Sequence, residues 1–490
     1  VACSVSIKRV EYYLYLRCYF VSDLREYVVV VVLLVLSTAG VLAESTPLTI
    51  KIHVYSDGSV VVDLMYSERV EAVYPPRELL AQGVLDVGDD YYELQLELLD
   101  MSTLPCPPFY GCLYALLVVN TTTTSSNEIY EERTSLVYNM WIDRGDSLNI
   151  TVEYLDYALN TTSLKSVVRG RVEVTASGEF AQILEYAGTL SKTVIETLLE
   201  QTGVTWISVV DFTTTSEPSR VKYEFTIVID ELEMAEKLGL EDTAELAEAY
   251  RSLPPSTTSI RVFYNTTSIS ALFSHRASGD INKHLKHVVR AYSRSYTRIR
   301  EVYSHSDVEI PLKLDIHVHP LISLLEEFTE NFIILESRST LSVRLAEGTL
   351  LINITTPRLI KRGAKTPLDT LIALQDFATL FATPIAPQDS DTSAPRPFGA
   401  GPLRVEDILN TTVYLVPESG VRITRNGGEA QRATLGELRE LRVEVTSPTP
   451  SPTPRSLLEE IPPTHLAIAA GALVALAVLV ALTTRRRAGA

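Results

Sequence analysis

SVVRGRVEVTASGEF, Ser166 to Phe180, changes its period midway, and the reading of the whole middle of the chain turns on it. The first twelve residues, SVVRGRVEVTAS, read as a strand. Directly after them, EFAQILEYAGTLSKTVIETLLEQ (179–201) sets Phe180, Ile183, Leu184, Ala187, Leu190, Val194, Ile195 and Leu198 on one helical face. VTWISVVDF and RVKYEFTIVI then read as strands, the second with Val221, Tyr223, Phe225, Ile227 and Ile229 alternating. DELEMAEKLGLEDTAELAEAY reads as a helix with acids at its start, and TSIRVFY as a last strand. The order is β-α-β-β-α-β, which predicts a ferredoxin-like module over 165–265.

The same junction recurs downstream. Ala176-Ser177-Gly178-Glu179-Phe180 is echoed by Ala277-Ser278-Gly279-Asp280-Ile281, each at the end of a strand and the start of a helix. Strands at 308–319, 333–346 and 348–355, a helix near 366–382 and a strand near 411–416 follow. The spacing predicts a second α/β module over 266–446, with insertions, and a tandem duplication. Residues 384–402 read as a loop.

Upstream, the period is 2. In TIKIHVYSDGSVVVDLMY, Ile50, Ile52 and Val54 alternate before Asp57-Gly58, and Val60, Val62 and Leu64 alternate after it, the pattern of a hairpin. YYELQLELL and SLNITVEYL alternate too. The expected fold is thus multi-domain. An all-β, sandwich-like domain over 44–164 precedes the two α+β ferredoxin-like modules. Gly58-Ser59-Val60-Val61-Val62 also resembles the self-cleavage motif of SEA modules, in which Ser attacks the preceding Gly carbonyl. That motif joins the second and third strands of a ferredoxin-like domain. Here too little chain precedes it, so a plain turn is expected.

The 490 residues suffice for two to four domains, and the 46% hydrophobic content suffices for packed cores. A net charge of −18 repels phosphate backbones and argues against nucleic-acid partners. Two apolar runs flank the acidic middle. YVVVVVLLVLSTAGVLA (27–43) ends in small residues and marks 1–43 as a signal peptide or signal anchor. LAIAAGALVALAVLVAL (466–482), followed by Arg485-Arg486-Arg487, predicts a transmembrane helix over 465–484 and a cytoplasmic tail over 485–490. Residues 447–464, which include SPTPSPTPR, read as an extended Pro/Thr stalk.

Six Asn-x-Ser/Thr sequons, at Asn120, Asn149, Asn160, Asn265, Asn353 and Asn410, all lie between the two apolar runs. Cys106 and Cys112 stand in the same region, as a disulfide or as two free thiols. This plan resembles that of archaeal cell-surface glycoproteins, including S-layer-associated ones. The likeness implies a single-pass protein of the cell membrane with an extracellular ectodomain. Its partners would be the lipid bilayer, glycans and other envelope or S-layer proteins.

Candidate chemistry is sparse. In LDIHVHP, a strand would set Asp315, His317 and His319 on one face, and a His-x-His pair on a strand can ligate zinc. The pair is similar to that of amidohydrolases, which need further histidines downstream. Only His465 follows. The alternation equally makes Ile310, Leu312, Leu314, Ile316 and Val318 the buried face and the histidines the wet one. Gly145-Asp146-Ser147-Leu148 resembles the nucleophile block of GDSL hydrolases, but the flanks read as strands and the Asp-x-x-His those enzymes need is missing. The expectation is therefore a non-catalytic envelope glycoprotein without a cofactor. The alternatives are a metal-dependent ectohydrolase centred on His317 and His319, and an envelope sensor acting through a partner.

Overall fold

The computed structural model describes residues 48–69, 78–101, 112–126, 128–142, 145–237, 251, 254–287, 289–290, 293, 297, 319–382 and 409–446. In chain order the first strands are β1 (Thr49–Val54), β2 (Val60–Arg69), β3 (Leu79–Val87), β4 (Tyr91–Asp100), β5 (Cys112–Ser125), β6 (Ile129–Ile142), β7 (Ser147–Asn160) and β8 (Lys165–Ser177). The short helices α1 (Ala181–Ala187) and α2 (Lys192–Thr202) precede β9 (Ile207–Glu217) and β10 (Arg220–Asp230). Next come α3 (Glu231–Lys237), β11 (Ser256–Asn265), β12 (Ile269–Ser278) and α4 (His319–Asn331). Strands β13 (Phe332–Ile334), β14 (Ser337–Ala346), β15 (Thr349–Thr355) and β16 (Leu359–Lys361) lead to α5 (Pro367–Ala382). The last strands are β17 (Thr412–Pro417), β18 (Val421–Arg425), β19 (Gly428–Glu429), β20 (Arg432–Thr434) and β21 (Arg442–Val445).

These elements fall into two compact units. The first runs through Glu97–Ser278; the second joins the chain before Glu97 to the chain after Ser278. The border expected at 164/165 falls inside the β7–β8 hairpin of the first unit, whose strands pair from Ser147↔Ser177 to Asn160↔Lys165.

The first unit is an antiparallel sheet in the order β12-β11-β5-β6-β7-β8-β10-β9. Strands β5 to β8 are 13 or 14 residues long, and tight turns join them. Such local pairing costs little loop entropy. One face carries the core, built from Tyr130, Met140, Leu148, Leu155, Tyr157, Leu159, Val168, Val221, Tyr223 and Phe225, with Leu184 and Ala187 of α1 packed on it. Gly170 of β8 lies under an aromatic ring: a Cβ there would sit 2.4 Å from Phe225 Cζ and 3.0 Å from Leu155 Cδ1.

The ferredoxin-like expectation is corrected here. Strand β10 does lie between β8 and β9, so β8, the α1–α2 region and β9 make a split β-α-β unit. A ferredoxin-like sheet needs the last strand, β11, on the other side of β8. That side is taken by β7, the hairpin partner, and β11 pairs with β5 and β12 instead. The expected single helix over 179–201 is also broken, at Gly188-Thr189-Leu190-Ser191. Ser191 N-caps α2, its hydroxyl accepting from the Val194 N–H at 3.4 Å. The break leaves Val194 and Leu198 exposed although they continue the apolar face.

The second unit is a mixed sheet in the order β20-β17-β1-β2-β15-β14-β3, antiparallel except for the parallel β17–β1 pair. Among its described residues there is no second ferredoxin-like ladder. Of the strand expected at 308–319 only His319 is among the described residues, and it begins helix α4. Strand β16 pairs with β13 and meets β2 at Leu359↔Val60. Phe328 stacks on Phe332, and Phe377 meets both edge-on, joining α4, β13 and α5. Strands β19, β18 and β21 form a separate small sheet. The expected sandwich over 44–164 is likewise corrected, because β1–β3 pair within the second unit and β5–β7 within the first, all as strands of one 18-stranded mixed sheet.

The Ala-Ser-Gly echo is a local junction, not a repeated module. Gly178 and Gly279 each follow the last residue of a strand at positive φ, 63° and 104°, and helical residues come after each. Among the described residues no helix is long and apolar enough to cross a membrane. The apolar runs at 27–43 and 465–484 and the stalk at 447–464 lie outside them.

Candidate functional site

The six sequons occupy three kinds of position. Asn120, Asn149 and Asn353 sit within β5, β7 and β15, each paired on both sides. Asn120 is exposed and its Oδ1 accepts from the Ser259 hydroxyl at 2.8 Å. The Asn149 Nδ2 donates to Thr175 Oγ1 at 3.2 Å. Asn353 is exposed on its strand.

Asn160 and Asn265 end strands and open turns. The Asn160 Oδ1 accepts from the backbone N–H of Thr162 at 3.0 Å and of Ser163 at 2.8 Å. The Asn265 Oδ1 accepts from the N–H of Thr267 and of Ser268, at 2.9 and 2.8 Å, and from the Thr267 hydroxyl at 2.8 Å. These are Asx-turns, in which a short amide side chain stands in for a backbone carbonyl. Asn410 is exposed just ahead of β17. None of the six is buried.

A polar cluster of the second unit surrounds the β1–β2 hairpin. The turn closes with Tyr55 N–H on the Ser59 carbonyl at 3.0 Å, and Gly58 takes φ 90° at its tip. The register Val54↔Val60, Ile52↔Val62 and Ile50↔Leu64 places the two alternating runs on one face, as the pattern required. Asp57 Oδ1 accepts from the Ser59 N–H and hydroxyl at 3.0 and 2.6 Å. Arg358, between β15 and β16, reaches in from the far end of the sequence. Its Nε donates to Ser59 Oγ at 2.5 Å, a terminal nitrogen donates to Asp57 Oδ2 at 3.0 Å, and the guanidinium lies 4.2 Å from the Tyr55 ring centroid. Thr370 of α5 donates to the Gly58 carbonyl at 2.7 Å. Glu418 accepts from the Ser56 N–H and hydroxyl at 2.9 and 2.8 Å.

Burial raises the Asp57 carboxyl, but the Ser59 hydrogen bonds and the Arg358 charge outweigh it and hold the group below its ordinary range. The Ser59 hydroxyl gives its proton to a carboxylate and takes a guanidinium N–H, so its oxygen is held on two sides. The cluster clasps a hairpin tip to β16 and α5. Sequence reading missed it because its halves lie some 300 positions apart, as the Asp57–Arg358 bond shows.

In the first unit, Glu231 opens α3 and is fully buried. Its Oε1 accepts from the Tyr157 hydroxyl at 3.0 Å and the Ser166 hydroxyl at 2.6 Å, while its Oε2 has no hydrogen-bond partner. Burial pushes this carboxyl up to about 7; the two hydroxyls oppose the shift and the neighbouring Asp230 charge adds to it. The sequence had suggested only an acid suited to a helix N-terminus.

Of the other expected residues, Asp315, His317 and Cys106 lie outside the described residues. His319 starts α4 and Cys112 starts β5. Ser147 of the GDSL-like block begins β7, and its hydroxyl pairs with that of Ser177 at 2.8 Å, tying together the open end of the β7–β8 hairpin. Among the described residues no group of three or more metal-ligating side chains occurs. Neither the models of known protein families nor the curated proteins match this chain.

Proposed function

We propose that this protein is an exported, non-catalytic glycoprotein of the cell envelope, whose two strand-rich units form a structural or ligand- and protein-binding ectodomain. The observation that carries the reading is the placement of the six sequons. They fall on both units, and in each the asparagine reaches the surface while its strand neighbours fill the cores. Glycans on these positions would be accommodated without unpacking either sheet. The acidic surface agrees with an outward-facing, soluble ectodomain. Its partners in this reading are the lipid bilayer, through the apolar C-terminal run, together with glycans and other envelope proteins. The test is the mass of the chain purified from its native envelope, before and after enzymatic removal of N-linked glycans. A fall in mass is expected, with glycopeptides mapping to the six asparagines. A chain already at its bare polypeptide mass would reject the proposal.

A further inference from the structure

Resting on that reading, the geometry points to Asn160 and Asn265 as the two sequons that the folded protein presents for glycan transfer, ahead of Asn120, Asn149 and Asn353. Transfer joins the asparagine Nδ2 to the anomeric carbon of an activated, lipid-phosphate-linked sugar. The nitrogen loses one proton and the carbon releases its phosphate-lipid leaving group. The enzyme must therefore take the sequon into its own cleft as an accessible peptide, with Nδ2 turned outward.

At Asn160 and Asn265 the fold supplies that presentation. Each asparagine is the last residue of its strand, and the rest of the sequon lies in the turn. Thr162, Thr266 and Thr267 are exposed; Thr161 is buried with its N–H on the Glu128 carbonyl at 2.9 Å, so the Asn160 turn has to open at that one residue, not along a ladder. In both, Oδ1 is bound by the N–H of the sequon's own third residue, Thr162 or Thr267, which fixes the carboxamide on the loop side by its oxygen. The Thr267 hydroxyl adds to this at Asn265. The β11–β12 loop is tight, with Asn265 N–H on the Ser268 carbonyl at 2.9 Å, so the presentation is built in before any enzyme arrives.

At Asn120, Asn149 and Asn353 the opposite holds. Strands β5, β7 and β15 are flanked on both sides, and the sequon threonines Thr122, Thr151 and Thr355 are themselves in ladder register. A central antiparallel strand commits each backbone N–H to a neighbour. Those threonine amides cannot fold onto their asparagines, and lifting the three residues out would break hydrogen bonds to two strands. At Asn149 the Nδ2 itself is already spent on Thr175.

The experiment uses the full chain, made without glycans, folded, and incubated with a purified oligosaccharyltransferase and a lipid-pyrophosphate-linked sugar donor. Occupancy is read site by site by glycopeptide mass spectrometry. A parallel reaction uses the same chain denatured and digested to peptides. The folded chain is expected to carry glycan on Asn160 and Asn265 at about tenfold or more the level of Asn120, Asn149 and Asn353. In the peptides that preference should disappear, and the folded N160Q/N265Q double variant should lose the signal of those two sites while Asn410, exposed ahead of β17, stays available. Equal occupancy in the folded chain, or the same preference in the peptides, overturns this inference and leaves the glycoprotein reading standing. No transfer to any sequon in either reaction overturns both.

Discussion

Replacing Glu231 by glutamine should flatten one part of the protein's pH-stability profile. In the folded chain this carboxyl is fully buried, its Oε2 meets no donor, and its pKa is pushed up to about 7 from an ordinary value of 4.5. The folded state therefore holds a proton that the unfolded state releases anywhere between those two values. The stability this proton confers is fully present below the unfolded value and is lost as the pH rises through the folded one. A shift of that size corresponds to about 3 kcal/mol, as an order of magnitude. The assay is urea unfolding at pH 5 and pH 8, followed by tryptophan fluorescence. Both tryptophans of the chain, Trp141 and Trp206, lie in the unit that holds Glu231, so the signal reports that unit. The Glu231→Gln side chain can still accept from Tyr157 and Ser166 but cannot titrate. Wild type should lose about 2–3 kcal/mol more than the variant between the two pH values. The other titrating groups are common to both proteins and cancel in the difference. Parallel profiles for the two proteins would refute the reasoning and show that Glu231 is charged in the fold at neutral pH.

Three further outcomes are expected. Arg358→Ala removes the guanidinium from Asp57, Ser59 and Tyr55 and should destabilise the hairpin tip by about 1–3 kcal/mol. Hydrogen exchange at residues 55–59 should quicken about tenfold or more, and unchanged exchange would contradict the clasp. Gly170→Ala drives a methyl into the Phe225 ring and should cost the first unit about 1–3 kcal/mol in the same urea assay, whereas a neutral effect would mean the β8–β10 packing is wrong. On a denaturing gel the chain should show no break between Gly58 and Ser59; a pair of fragments joined there would show that the turn is a self-cleaving one.

Local structure was legible in the sequence wherever one period ran cleanly. The β1–β2 hairpin, β8, β10, β11 and helix α5 lie where alternation or helical spacing places them. Pairing was not legible, because it depends on competition between strands. The element order after Lys165 fits a ferredoxin-like module, and three of its four strands do take that order. The difference lies at β7, which pairs along the whole of β8 through a short turn and so closes a cheaper loop than a distant strand would. Strand β11 then found β5, placing Ser259 beside Asn120. Functional positions divide the same way. A sequon is three adjacent residues and can be read directly, but its Asx-turn or ladder environment cannot. The Asp57–Arg358 clasp and the Tyr157–Ser166–Glu231 set each join residues from separate elements, so neither leaves a spacing in the sequence to find.

Surface labelling of intact cells tests the central claim most directly. A membrane-impermeant, amine-reactive reagent would be applied to living cells, and the labelled lysines of this chain mapped by mass spectrometry. Lys165, whose side chain is 60% exposed beside the Asn160 turn, should be modified without lysis. Label that appears on Lys165 only after the cells are broken would contradict an exported ectodomain.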